Sequence, residues 1–136
     1  MDRDVVIRRL RAMRDLLDHL ESLDMTAEEQ LLDLGVRLQV ERILTQLVNL
    51  AAEVNAHAAT QVLGKPPEDY RDGFDLAASA GIIPAELAAL LKPSVGLRNV
   101  LTREYVDVDL TVVVAAIPRA VTGYRAYVHD VARHLG

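Results

Sequence analysis

Apolar residues recur at helical spacing along nearly the whole chain, and this limits the fold more than any other feature. Val6, Leu10, Met13, Leu17 and Leu20 follow one another at intervals of four, three, four and three, which places them on one face of a helix from about Arg3 to Leu23. The opposite face carries Arg8, Arg11 and Arg14, then Asp15, Asp18 and Glu21, a charged surface suited to water. Thr26-Ala27-Glu28-Glu29 has the spacing of a capping box, in which Thr26 and Glu29 satisfy each other's backbone donors. It predicts a long helix from about Ala27 to Leu63, with a seam through Val36, Val40, Ile43, Leu47, Leu50 and Val54 that continues to His57 and Gln61. Gly64 is a natural stop, and Pro66-Pro67 prevents continuation.

Tyr70, Phe74, Ala77 and Ala78 mark a short third helix ending at Gly81. Pro84 suits the first turn of a fourth helix, which runs through Leu87, Leu90 and Leu91. Pro93 should kink or briefly break it before it resumes through Leu97 and Leu101 to about Tyr105. A last helix is expected from an N-cap at Asp109 to about His134, bent at Pro118. Its Leu110–Val114 run is β-branched, but no second strand-like segment exists to pair with it. The expected architecture is an all-α, up-and-down bundle of four main helices plus a short one, in a single domain spanning residues 1–136.

With 51% apolar and only 4% aromatic residues, aliphatic side chains must supply most of the buried area. A net charge of −5 argues against a protein that coats nucleic acid, which needs a broad basic surface to displace counterions. A local positive site stays open, because all but two of the 15 basic residues are arginines, spread through the helices. Cysteine is absent, which removes disulfides, zinc–thiolate sites and thiol nucleophiles. No apolar run approaches the roughly 20 residues that span a bilayer, and Met1-Asp2-Arg3-Asp4 opens no signal-peptide core. A cytoplasmic protein without membrane contact is the expectation.

The chemistry concentrates in Arg98-Asn99-Val100-Leu101-Thr102-Arg103-Glu104-Tyr105. On a helix, Arg98, Thr102 and Tyr105 form one stripe, and Asn99, Arg103 and Val106 the next. Two guanidiniums, an amide and a phenol crowd two turns. His57 lies on the apolar seam, either as a hydrogen-bonded packing residue or as a second polar group near a cleft. His19, His129 and His134 share no metal-ligand spacing with it, so neither a metal nor another cofactor is expected.

The segment from Gly96 to Tyr105 resembles the signature of HepT-type HEPN proteins, ribonuclease toxins of the HepT/MntA toxin–antitoxin family, in which an Arg-Asn pair is followed after three residues by His, any residue and Tyr. Pro66–Phe74 and Ala80-Gly81-Ile82-Ile83-Pro84 also resemble that family, as does the Asn55–His57 neighbourhood more weakly. The resemblance implies a metal-independent endoribonuclease acting on RNA rather than DNA, a homodimer whose two motifs line a shared cleft, and a nucleotidyltransferase antitoxin that adds AMP to the motif tyrosine. Carried over by position, Arg98 would bind and polarise phosphate, Asn99 would orient the site, and Tyr105 would be the hydroxyl modified.

One position departs from the pattern: Arg103 stands where the family has histidine. Cleavage without a metal needs a group that accepts the 2′-hydroxyl proton near neutral pH, which imidazole does. Arginine stays protonated and cannot act as a base, although it can hold phosphate. Two classes therefore stand open: an RNase-type toxin weakened or inactive at this position, and a non-catalytic dimeric module that binds a nucleotidyltransferase, RNA or a nucleotide.

Overall fold

Five α-helices follow one another in the order α1 (Arg3–Ser22), α2 (Leu34–Ala58), α3 (Tyr70–Ser79), α4 (Ala85–Arg103) and α5 (Leu110–Leu135). The computed structural model describes residues 2–103 and 108–135, and no strand occurs among them. This is the expected all-α bundle of four long helices and one short one. Helix α2 packs against each of the other four, and α5 closes the bundle against α1 and α4.

Helix α1 starts where the Asp2 carboxylate accepts the N–H groups of Asp4 and Val5. The five apolar positions of its predicted face are all buried. Arg125 on α5 clamps α1 from outside, donating to Glu21 and Asp18 at 2.8 Å each.

The expected helix from Ala27 to Leu63 is interrupted. Glu28–Leu32 form a 3-10 turn, and α2 begins only at Leu34. The predicted Thr26–Glu29 capping box is replaced by Gln30, whose side-chain oxygen accepts from the N–H of Thr26 at 2.7 Å and of Ala27 at 3.0 Å. Thr111 of α5 holds the turn by donating to Glu28 at 2.7 Å. Asp33 then caps α2 by accepting from Val36 N–H at 3.0 Å. At the far end the helix widens into a π turn, Ala59–Leu63, and stops at Gly64, whose φ of 72° suits a residue without a side chain.

Helices α4 and α5 run unbroken through Pro93 and Pro118. Of the kink or brief break expected at Pro93, the break does not occur, although the missing N–H leaves the Ala89 carbonyl without its intrahelical donor. One residue on, the Ser94 hydroxyl donates to the Leu91 carbonyl and pairs with the Tyr124 hydroxyl, both at 2.6 Å. That bond ties α4 to α5. Beside it Gly123 lets the helices close up: a Cβ there would lie 2.7 Å from Leu91.

Aliphatic residues make up most of the core, as the composition requires, but its centre is aromatic. Phe74 and Tyr124 each meet Tyr127 edge-on, at centroid distances of 6.1 and 6.2 Å. The Tyr127 hydroxyl donates to the Asn55 side chain at 2.6 Å, with the Ala51 carbonyl at 3.2 Å. Among the described residues Asn55 is the one fully buried polar side chain.

Burial pushes the phenols of Tyr124 and Tyr127 well above the ordinary tyrosine value. Both stay neutral in the folded chain while their unfolded counterparts ionise near pH 10. The stability this confers is complete below about pH 10 and is lost as pH rises further, because the unfolded state sheds protons that the folded state keeps. In an alkaline titration these two tyrosines should ionise only together with loss of helical circular dichroism. Tyrosinate absorbance from all the tyrosines before any unfolding would contradict this packing.

Candidate functional site

Arg98 reaches the surface from α4 but is held on three sides. Its Nε donates to Asn49 Oδ1 on α2 at 3.0 Å, and its Nη1 to Asn99 Oδ1 at 3.1 Å. The guanidinium lies over the ring of Tyr70 at the start of α3, 5.1 Å from the centroid, a cation–π arrangement. Two of the guanidinium's N–H groups orient the plane, and the Nη2 group has no partner among the described residues. Such a group is set to receive an anion's oxygens in a fixed direction.

Asn99, expected to orient the site, stands beside Arg98 on α4, and its side-chain oxygen accepts the Arg98 Nη1 bond. Thr102 turns inward on its own helix, its hydroxyl 3.1 Å from the carbonyls of Arg98 and Asn99. Arg103 is exposed in the last turn of α4, and its Nε donates to the Asn99 carbonyl at 3.3 Å. A cation suits that position, where carbonyls run out of helical donors. Tyr105, Glu104 and Val106 lie outside the described residues.

Two clefts flank Arg98. The smaller, of about 370 Å³, is lined by Asp69, Tyr70, Arg71, Val95, Arg98 and Asn99. The larger, of about 710 Å³, runs between α4 and α5, with Leu90, Leu97, Val100 and Val112 among its apolar walls and Arg119 and Asp109 among its polar ones. Three of those apolar side chains stand open to solvent, Leu90 at 48%, Val100 at 43% and Val112 at 47% exposure. Among the described residues no ion pair engages Arg71, Arg98, Arg103 or Arg119. Among the described residues that line the clefts, arginines thus outnumber carboxylates, on a chain of net charge −5.

His57 lines neither cleft. Its Nε2 accepts the backbone N–H of Asp2 at 2.9 Å, at the start of α1. That is the packing role the sequence left open beside a cleft role. No three His, Asp or Glu side chains converge as metal ligands among the described residues. Sequence reasoning missed Asn49 and Arg71, and it read Tyr70 only as a marker of the third helix, whereas this 37% exposed residue places its ring beneath Arg98. The adjacency of Tyr70 and Arg71 at a helix start, inside a segment already singled out, was the signal available.

An all-α bundle with an arginine-centred cleft defines the class, and comparison with known proteins identifies the family. Residues 6–131 match the family model described as Ribonuclease HepT-like, and the chain belongs to that family. It is 29% identical over 132 residues to a tRNA nuclease HepT from Aphanizomenon flos-aquae, covering 96% of this chain and 90% of that protein. It is also 29% identical over 94 residues to an mRNA nuclease HepT from Shewanella oneidensis, covering 69% of this chain and 68% of that one. The fold matches a tri-AMPylated Shewanella oneidensis HEPN toxin solved in complex with MNT antitoxin, with a TM-score of 0.86 at 20% identity, over 98% of this chain and 99% of that one.

Proposed function

We propose that this chain is the toxin component of a toxin–antitoxin pair, a metal-independent endoribonuclease scaffold that binds RNA and cuts it weakly or not at all. The observation that carries this reading is Arg98, held by Asn49, Asn99 and Tyr70 at the junction of two clefts; Arg103, five residues on, stands where the motif resemblance would put histidine. Arg98 would bind and polarise the scissile phosphate. Strand cleavage by attack of the neighbouring 2′-oxygen also requires removal of that hydroxyl's proton, and a guanidinium has no lone pair to take it. Arg103 would supply positive charge without a base. Among the described residues no histidine lines either cleft, which favours the second reading, a non-catalytic dimeric binding module, for the molecule as it stands.

The reading includes two partners. Exposed Leu90, Val100 and Val112 around the larger cleft form an apolar rim suited to a second copy, and a twofold pairing would bring two motifs to one groove. The second partner is a nucleotidyltransferase antitoxin that adds AMP to Tyr105. Its support is the AMPylated HEPN toxin, bound to MNT antitoxin, that this fold matches, together with the position of Tyr105 two residues beyond Arg103.

Three outcomes are expected. Arg103→His should raise cleavage of RNA in the presence of a chelator by roughly 100- to 10,000-fold, and adding Arg98→Ala should abolish the gain; an inert Arg103→His protein would leave only the binding module. Incubation with the antitoxin and ATP should add AMP units by mass, all of them lost in Tyr105→Phe; an unmodified wild-type chain would remove Tyr105 from the site. Analytical ultracentrifugation should give a dimer that Leu90→Glu dissociates, whereas a wild-type monomer at micromolar concentration would rule out the shared groove.

A further inference from the structure

Building on the reading of the cleft as an RNA surface, we infer that Arg71 is a second phosphate-binding residue, gripping a backbone phosphate next to the one that Arg98 holds. Arg71 and Arg98 are the two side chains that border both clefts. A strand passing from one cleft to the other crosses between these guanidiniums.

The fold makes room for Arg71. A Cβ on Gly96 of α4 would lie 2.9 Å from Arg71 Nη2, so the guanidinium occupies the space that a side chain at 96 would take. Glycine inside a helix is otherwise unfavourable. The first turn of α3 thus delivers two consecutive residues to α4: the Tyr70 ring beneath Arg98 and the Arg71 guanidinium against Gly96.

Three carboxylates of the same segment have partners other than Arg71. Asp69 accepts from Asp72 N–H at 2.7 Å, Asp72 accepts from Glu68 N–H at 2.9 Å, and Asp75 pairs with Lys92 at 3.1 Å. Among the described residues Arg71 makes neither an ion pair nor a hydrogen bond, and it is exposed. A guanidinium without an ion pair among the described residues, whose planar fork matches two phosphate oxygens, shares both clefts with a second one, an arrangement that suits a ligand carrying more than one phosphate.

The test uses the full chain and fluorescence anisotropy with labelled, unstructured single-stranded oligoribonucleotides of several base sequences, over a range of salt. Arg71→Gln should weaken binding alike for every sequence and should make the plot of log affinity against log salt shallower by about 0.7 for each phosphate no longer neutralised. Arg71→Lys should retain most of that slope. Gly96→Ala, which crowds the guanidinium but leaves its charge, should also weaken binding while the melting temperature holds or rises. Arg133→Gln, near the far end of α5, should change nothing. An Arg71→Gln slope equal to wild type, alongside a reduced slope for Arg98→Gln, would overturn the assignment of Arg71 and leave the RNA reading standing. Weakening confined to particular base sequences would overturn phosphate as the ligand. No RNA binding by either wild type or Arg103→His would overturn the RNA reading, and the role of Arg71 with it.

Discussion

The hydrogen bond from Tyr127 to Asn55 is the contact on which the arrangement of helices rests. It pairs a hydroxyl with an amide oxygen where water does not reach, and leaving either unpaired costs about 1–3 kcal/mol. Any slide of α5 along α2 breaks it. With α5 fixed, the bond between Tyr124 and Ser94 fixes α4 in turn, and the close approach at Gly123 sets the spacing. Arg98 then meets Asn49, which lies on the same helix as Asn55. Two buried tyrosines therefore determine, at a distance, where one surface guanidinium points.

That orientation matters because a preset cation discriminates by geometry as well as by charge. Arg98 would not have to be ordered when an anion arrives, since α2, α3 and α4 have already removed most of its freedom. Arg103 contrasts with it. It is exposed at the end of α4 and held by one long bond to a carbonyl of its own helix. A guanidinium in that place can contribute charge and hydrogen bonds, and it has no lone pair with which to accept a proton.

Much of the fold was legible because burial follows the helical period. Each apolar residue predicted for the face of α1 is buried, and the stops at Gly64 and Gly81 and the start at Asp109 fall where local backbone chemistry puts them. The interruption before α2 was not legible. Thr26 and Glu29 have the spacing of a cap, yet Gln30 and a threonine on α5, distant in sequence, decide the outcome. At the site, the Arg98–Asn99 pair announced itself by motif. Asn49 and Arg71 did not, since a polar residue on a helix carries no mark of what it will touch across the bundle. His57 was ambiguous for the same reason: an apolar seam says that a residue faces inward and does not say toward which neighbour.

Pro93 leaves its mark on the larger cleft. The Ala89 carbonyl lacks a helical donor, and both residues are exposed on that cleft's wall. The largely apolar α4 wall of that cleft thereby gains a backbone hydrogen-bond acceptor at a defined height. In water that oxygen is hydrated at no penalty. Anything that dries the trough by settling into it must present an N–H or hydroxyl at that level, or forfeit part of what the apolar contact contributes. A helix kept whole despite its proline thus makes the groove selective about the polarity pattern of its occupant.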